Sequence, residues 1–270
     1  MGQSKLPTIL YANQNIMEQF IQEIARGAGH ILKENFRKVG VKYTKTHAMD
    51  VVTEADLLSN TYIVDAIKKQ YPDHGILSEE TGEEVTQSPY QWIIDPLDGT
   101  FNFATSIPIF GVIIGLAKNN VVEMGCIYDP MQDELFYAKR GAGAFLNGKQ
   151  ISCSQKSEIP DSAGLYSANQ GPQKFTLSKR VIEMGEQERL VINSWGCHAF
   201  SLAQVASGRR DWCLSPSAGT WDYAAGSLIL SEAGCNVTNL EGKPWSITDK
   251  NMLAANPILH EKIFHFLKTK

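Results

Sequence analysis

The stretch Trp92-Ile93-Ile94-Asp95-Pro96-Leu97-Asp98-Gly99-Thr100 decides how this 270-residue chain is interpreted. Its apolar run is typical of a buried strand, and two carboxylates three residues apart follow that run. Carboxylates that a strand end presents to an open crevice commonly hold hard cations and phosphates. Two acids facing one small space repel each other unless a cation lies between them. The stretch therefore predicts a divalent-metal site.

The composition, with 43% hydrophobic and 20% charged residues, is that of an ordinary soluble globular protein. We expect one domain over residues 1–270, with two closely packed lobes of about 1–150 and 151–270. The net charge of −4 gives no electrostatic reason to expect nucleic acid or an anionic membrane as a partner. Five scattered cysteines, no signal core and no membrane-length apolar run predict a cytoplasmic protein.

Periodicity predicts helices and strands that alternate in blocks, with an antiparallel meander in the middle. The helices are expected over residues 14–36, after a cap at Thr53 and ending before Pro72, and near 198–207, 220–233 and 257–268. The strands are expected at Val51–Thr53, Gly75–Ser78, Phe110–Lys118, Val121–Tyr128 and Leu135–Ala138. This order favours a layered α/β or α+β architecture over a helical bundle or a β-sandwich.

The candidate metal ligands are all carboxylates: Glu79, Asp95, Asp98 and Asp222. Pro96 fixes φ and is expected to turn the chain off the strand, so that Asp95 and Asp98 reach one cation while the Leu97 carbonyl is free to coordinate it. Oxygen ligands suit Mg²⁺, and the motif has no thiolate, thioether or imidazole that would indicate zinc or copper.

Gly99 and Thr100 are expected to open the next helix, where unpaired backbone amides form a phosphate-binding turn. The Thr100 hydroxyl could hold an attacking water, and Glu79 could take the proton of that water while it ligates the metal. Each piece alone has a simpler explanation, since Asp-Pro-x-Asp is usually a turn and an exposed Glu79-Glu80 pair is usually a solvated loop. Six specified positions directly after an apolar strand favour the functional interpretation.

Three motifs follow one another in the order Ser78-Glu79-Glu80, Trp92–Phe103 and Trp221–Gly226, and Glu232-Ala233-Gly234 comes after them. Supporting motifs are Asp50–Asp56 and Gly141–Gly148. On these motifs the chain resembles the inositol monophosphatase family, within the wider group of lithium-sensitive, magnesium-dependent phosphomonoesterases. The resemblance implies a layered α-β-α-β-α sandwich of the inositol monophosphatase and fructose-bisphosphatase type, usually a homodimer.

The resemblance also implies two to three Mg²⁺ ions, with Mn²⁺ as a possible substitute and Li⁺ as an inhibitor. Glu79, Asp95 and the Leu97 carbonyl would hold the first ion. Asp95, Asp98 and Asp222 would hold the second, and Glu79 would help to bind a weaker third. Lys45 has the spacing of a family lysine near the active site, although lone loop lysines mostly face solvent.

In the implied catalytic machinery, Thr100 and Glu79 orient the nucleophilic water, and Asp56 supports Thr100 by a hydrogen bond. The amides of Gly99 and Thr100 would hold the phosphate. The residues expected to contact the substrate are Asp98, Gly99, Thr100, Gly196, His198, Ser215 and Asp222.

The chain departs from the family at two substrate positions. Inositol-specific members often carry an acidic residue seven positions before the last metal-binding aspartate, and this chain has Ser215 there. Gly196-Cys197-His198 also differs from the small residues expected near the sugar, and His198 could contact substrate or serve as a helix cap or core residue. Both departures weaken an assignment of strict inositol specificity.

The sequence therefore predicts a Mg²⁺-dependent phosphomonoesterase for a small polyol or sugar phosphate, with inositol monophosphate as the first candidate. Fructose 1,6-bisphosphate, the 2′-phosphate of NADP and 3′-phosphoadenosine 5′-phosphate remain alternatives. A non-catalytic regulatory protein on the same fold would be expected to have degenerate ligands, whereas every ligand position here carries an oxygen donor. A dinucleotide-binding role for Gly141-x-Gly143 is set aside because the glycine pattern is incomplete and follows a meander.

Overall fold

The structure is a computed structural model that describes residues 8–46, 50–167 and 174–269. The described helices are α1 (Thr8–Asn35), α2 (Glu54–Gln70), α3 (Thr100–Ala104), α4 (Lys174–Gln187), α5 (His198–Ala206), α6 (Thr220–Glu232) and α7 (Pro257–Lys268). None of these described helices combines the length and the apolar character that crossing a bilayer requires.

The first large sheet has eight strands in the order β10-β9-β8-β7-β6-β5-β3-β4. Its strands are β3 (Gly75–Ser78), β4 (Gly82–Glu84), β5 (Tyr90–Asp98), β6 (Gly111–Lys118), β7 (Val121–Asp129), β8 (Glu134–Lys139), β9 (Gly143–Leu146) and β10 (Lys149–Ile151). All neighbours in it are antiparallel except β3 and β5. A short antiparallel pair, β1 (Val41–Thr44) with β2 (Val51–Thr53), precedes this sheet in the chain.

The second sheet has five strands in the order β12-β11-β13-β15-β14. These strands are β11 (Ala163–Tyr166), β12 (Val191–Asn193), β13 (Trp212–Ser215), β14 (Asn236–Thr238) and β15 (Met252–Ala255). β11 is parallel to both β12 and β13, whereas β15 is antiparallel to its two neighbours.

Helices and sheets stack as five layers, because each amphipathic helix buries an apolar face against a sheet. α1 and α2 cover one face of the eight-stranded sheet, and α5 and α6 lie between the two sheets. α4 and α7 pack together, with α7 against β15 on the outer side of the five-stranded sheet. Separate apolar clusters fill the spaces between these layers. The predicted α-β-α-β-α sandwich is confirmed.

Helices and strands with long periodic patterns agree with the sequence prediction, whereas several short strands were not predicted. The strands of the meander and the last three helices lie within a few residues of their expected bounds, and α1 begins at Thr8 instead of residue 14. α4 and most of the five-stranded sheet had no sequence prediction. Strands of three or four residues are too short to display a two-residue period clearly.

The strand that carries the opening motif does not stop before Pro96, so that expectation is wrong. β5 continues to Asp98, with Asp95 opposite Ile113 and Asp98 opposite Gly111 of β6. Between these two pairs, β5 advances by three residues and β6 by only two, so β5 contains a β-bulge with one extra residue. Residues three apart on a regular strand face opposite sides, and the extra residue turns both carboxylates to one side. Proline is tolerated in a bulge because no ladder bond from its nitrogen is needed.

Candidate active site

A cleft of about 460 Å³ opens where β5, α3, α5 and α6 begin or end. Its lining includes Lys45 and most of the predicted site residues: Glu79, Asp98, Gly99, Thr100, Gly196, His198 and Asp222. The other predicted residues lie buried around this cleft: Asp56, Asp95, Leu97 and Ser215. The structure thus gathers residues that are far apart in the chain.

Asp98 is fixed by the start of α5. Its Oδ2 accepts hydrogen bonds from the backbone N–H of Ala199 at 2.6 Å and from the Cys197 thiol at 2.8 Å. Burial raises the pKa of Asp98 to about 6, although His198 and these two donors oppose the shift and Asp222 reinforces it. The sequence prediction missed the role of Cys197, because a thiol preceding a helix does not indicate by itself which distant carboxylate it will contact.

Asp95 and Glu79 meet beneath the cleft, as expected for neighbouring strands β5 and β3. Asp95 Oδ1 accepts a hydrogen bond from the N–H of Leu97 at 3.1 Å, which closes a tight turn inside the bulge. Burial raises the pKa of Asp95 well above its usual range, and the carboxylates of Glu79, Asp98 and Asp222 raise it further. Burial likewise raises the pKa of Glu79 to about 7, with Lys45 opposing and Asp222 reinforcing the shift.

Asp222 comes from the first turn of α6. Its Oδ2 accepts a hydrogen bond from the N–H of Gly219 at 2.5 Å, so one carboxylate oxygen helps to cap the helix. The helix begins at Thr220, close to its expected start, which places Asp222 in the first turn. Its other oxygen, Oδ1, lies 3.4 Å from His198 Nδ1. Capping and site roles are thus divided between the two oxygens of Asp222.

Thr100 and Asp56 form the hydrogen bond that the family resemblance implies. The Thr100 hydroxyl lies 3.1 Å from Asp56 Oδ1 and 2.9 Å from the Leu97 carbonyl oxygen. Asp56 Oδ2 accepts from both the N–H and the hydroxyl of Thr53, in a capping arrangement at the start of α2. Burial raises the pKa of Asp56 to about 6, against the bonds from Thr53 and Thr100 that lower it.

Gly99 provides the turn between β5 and α3. Its φ of 86° is in the left-handed region, and a Cβ there would lie 2.8 Å from the Ile109 carbonyl oxygen and 3.2 Å from Cys197 Cβ. A side chain at this position would therefore meet both backbone strain and a steric clash. Glycine is required here to bring the start of α3 up to the cleft.

Lys45 faces the carboxylates at one side of the cleft instead of extending freely into solvent. Its Nζ lies 2.9 Å from Glu79 Oε1 and 2.8 Å from Glu80 Oε1. Burial lowers the pKa of Lys45, but the two carboxylates outweigh burial and the net shift is upward. The Glu80 side chain is only 2% exposed, and its Oε2 has no hydrogen-bond partner among the described residues. The sequence alone did not reveal that Glu80 is buried.

His198 begins α5 and lies between Asp222 and Ser215. Its Nδ1 is 3.4 Å from Asp222 Oδ1 and 3.9 Å from Asp98 Oδ1, while its Nε2 is 3.1 Å from Ser215 Oγ. The Tyr223 hydroxyl donates to the same Ser215 Oγ at 2.6 Å. Burial lowers the pKa of His198, but Asp222 and Asp98 outweigh that effect and raise it overall. A direct contact between substrate and Ser215 stays a prediction, since the Ser215 hydroxyl is engaged by two neighbours.

The acidic side chains of the site fit a bound cation. Four carboxylates from β3, β5 and α6 converge there, and two of them, Asp95 and Asp98, are almost fully buried. Such a group is strongly self-repulsive unless positive charge offsets it. Ligand atoms of Asp98, His198 and Asp222 all lie within 4.8 Å of one another, so these residues could hold a metal ion. The fit rests on these contacts and on the raised pKa values.

Comparison with known proteins shows to which family this chain is related. The sequence pattern of the inositol monophosphatase family matches residues 13–269. The chain belongs to this family. A Thermotoga maritima protein named fructose-1,6-bisphosphatase/inositol-1-monophosphatase is 33% identical over 244 residues, which cover 90% of this chain and 93% of that protein. The Nus factor SuhB of Haemophilus influenzae is 39% identical over 238 residues, covering 86% and 88%.

Solved structures agree with the family assignment. The crystal structure of the extragenic suppressor protein suhB from Bartonella henselae has a TM-score of 0.88 and 33% sequence identity to this chain. The alignment covers 94% of this chain and 99% of that one. Family membership makes this protein a phosphomonoesterase of the inositol monophosphatase type. The relatives have different names, so the substrate must be argued from the site.

Proposed function

We propose that this protein is a Mg²⁺-dependent phosphomonoesterase that hydrolyses a small polyol or sugar phosphate, with inositol monophosphate as the first candidate. The observation that carries the proposal is the convergence of Glu79, Asp95, Asp98 and Asp222 beside the Asp56–Thr100 hydrogen bond. A cleft of about 460 Å³ has the size of a small-molecule site.

The carboxylates and the Leu97 carbonyl would hold the ions, and Mg²⁺ would neutralise phosphate charge, lower the pKa of water and stabilise the leaving alkoxide. Glu79 stands where it can orient the attacking water and receive its proton. The Thr100 hydroxyl has one hydrogen, which Asp56 or Leu97 accepts, so its oxygen remains able to accept a hydrogen bond from that water. Backbone amides of Gly99 and Thr100 would bind the phosphate.

Ser215 argues against strict inositol specificity, because inositol-specific members of the family often carry an acidic residue at this position. Ser215 is buried, and its oxygen already accepts from Tyr223 and lies 3.1 Å from His198, so it is poorly placed to bind a ring hydroxyl. Fructose 1,6-bisphosphate is therefore a close alternative, and the name of the Thermotoga maritima relative includes that activity. NADP and 3′-phosphoadenosine 5′-phosphate belong to the same test.

Phosphate release should be measured on inositol 1-phosphate, fructose 1,6-bisphosphate, NADP and 3′-phosphoadenosine 5′-phosphate. Each assay would be run with Mg²⁺, with Mn²⁺, with chelator, and with Mg²⁺ plus Li⁺. The proposal expects metal-dependent, Li⁺-inhibited release from at least one substrate, with inositol 1-phosphate among those hydrolysed. Release that survives chelation would contradict the metal role, and no release from any substrate would favour a non-catalytic role.

We further propose a cytoplasmic homodimer. All five cysteines are buried and free, which suits a reducing compartment. Phe101, which lines the cleft, and Ile107, three residues after α3, are 41% and 43% exposed and could pack against a second copy. Light scattering should give twice the chain mass, whereas a monomer at micromolar concentration would contradict the dimer.

A regulatory role like the one named for the SuhB relative is the alternative if every phosphatase assay is negative.

A further inference from the structure

His198 is the residue at which this site differs most in chemistry from an all-oxygen magnesium site. It is the first residue of α5, and its side chain is only 7% exposed. Its ring packs edge-to-face on Tyr223, with centroids 5.5 Å apart, so the imidazole has little freedom to reorient. One ring nitrogen faces carboxylates and the other faces a hydroxyl. The two nitrogens can therefore have different roles.

The hydroxyl side allows a tautomer in which Nδ1 is free to act as a ligand. Ser215 Oγ accepts a hydrogen bond from Tyr223, and its second lone pair can accept one from His198 Nε2–H. That arrangement leaves the Nδ1 lone pair directed at Asp222 and Asp98. A histidine that binds a metal usually donates its other ring N–H to a neighbouring acceptor, and Ser215 Oγ, 3.1 Å from Nε2, is placed to be that acceptor.

The distances on the carboxylate side fit one shared ion. Nδ1 lies 3.4 Å from Asp222 Oδ1 and 3.9 Å from Asp98 Oδ1. Neighbouring ligand atoms on one ion, each bound at about 2.1 Å, are roughly 3 to 3.5 Å apart. The pair of Nδ1 and Asp222 Oδ1 is already in that range, and Asp98, whose ligand oxygen lies within 4.8 Å of the other two atoms, would move closer when an ion binds. The alternative, an ion pair between His198 and Asp222, would leave no nitrogen available to a metal.

We propose that His198 Nδ1 is a ligand of the ion held by Asp98 and Asp222, and that this position binds Mn²⁺ in preference to Mg²⁺. The inference rests on the proposed metal dependence of the site. Both ions suit carboxylate ligands, but Mn²⁺ is a transition-metal ion and accepts an imidazole nitrogen more readily than Mg²⁺ does. Removing His198 should therefore weaken Mn²⁺ binding at least tenfold and change Mg²⁺ binding much less.

The direct test is pulsed electron paramagnetic resonance of Mn²⁺ bound to the full chain. The wild type should show coupling from a directly bound nitrogen, and the coupling should change when the protein is prepared with ¹⁵N-histidine. His198→Ala and His198→Gln should both lose the coupling, while His260→Gln, which alters another buried histidine, should keep it. Using the labelled wild type makes the result independent of how well the variants fold.

Mn²⁺ and Mg²⁺ affinities of the same proteins complete the test. Nitrogen coupling with selective loss of Mn²⁺ affinity in both His198 variants supports the proposal. Mn²⁺ bound without nitrogen coupling, or equal losses for the two ions, overturns it while leaving the phosphatase assignment intact. If the wild type binds neither ion, both the inference and the proposed metal dependence fail.

Discussion

Replacing Asp98 by asparagine removes one charge from the metal-binding group while it keeps the shape of the side chain. The amide oxygen can still accept the hydrogen bond from Ala199, which the carboxylate accepts at 2.6 Å. The folding stability of the metal-free protein should therefore change by no more than about 1 kcal/mol, because the weaker hydrogen bond is offset by less repulsion among the carboxylates. Removing a charged ligand should cost about 4 kcal/mol of transition-state stabilisation, which corresponds to about a 10³-fold fall in kcat.

The assay is phosphate release from the best substrate of the panel, with Mg²⁺ titrated to saturation for each variant so that weaker ion binding is separated from slower chemistry. Asp211→Asn is the matched control. Asp211 also accepts hydrogen bonds from a backbone N–H and a hydroxyl, those of Ala163 and Ser154, but it precedes β13, at the end of that strand opposite Ser215. The control should keep wild-type kcat. An Asp98→Asn enzyme within tenfold of wild type at saturating Mg²⁺ would refute the reasoning.

Other predictions concern the water holder, the turn glycine and a distant histidine. Thr100→Ala should lower kcat about 10²-fold and Thr100→Ser should restore most of it, because only the hydroxyl is needed; equal activities of the two variants in steady-state assays would contradict the role. Gly99→Ala should lower the free energy of unfolding by about 2 kcal/mol or more in urea titrations, since a Cβ would lie 2.8 Å from the Ile109 carbonyl oxygen at a φ of 86°; an unchanged midpoint would contradict the strain argument. Burial lowers the pKa of His260 to about 4, so the unfolded chain takes up a proton below about pH 6.5 that the folded chain does not accept until about pH 4. The free energy of unfolding should therefore fall as the pH drops through this window, by up to about 1.4 kcal/mol per pH unit, and His260→Gln should lose that part of the slope.

The fold class was predicted correctly, and the structure brings many of the candidate site residues to one cleft. Asp95, Asp98 and Thr100 lie close together in the chain, so local spacing was enough to suggest a shared site. Glu79 and Asp222 were added through short motifs and a family resemblance, and the structure brings both to the same cleft. Patterns that combine several specified residue types thus carry information that secondary-structure periodicity does not.

The parts that could not be predicted depend on contacts between distant segments. Pro96 suggested that the strand ends before it. The strand instead continues through a bulge in its pairing with β6, and this pairing cannot be deduced from local sequence. The hydrogen bonds that join Ser215 to Tyr223 and His198 could not be predicted either, because nothing nearby in the chain indicates these contacts. The burial of the Glu80 side chain beside Lys45 could not be predicted, because a pair of glutamates by itself is typical of a solvated loop.

The central claim is that the cleft carboxylates hold the ions that the reaction needs. Anomalous diffraction from a crystal soaked in Mn²⁺, at a wavelength near the manganese absorption edge, tests this claim most directly. The account predicts strong peaks in the cleft within bonding distance of Glu79, Asp95, Asp98 and Asp222. Peaks confined to other surfaces, with this group of carboxylates left without an ion at saturating Mn²⁺, would contradict it.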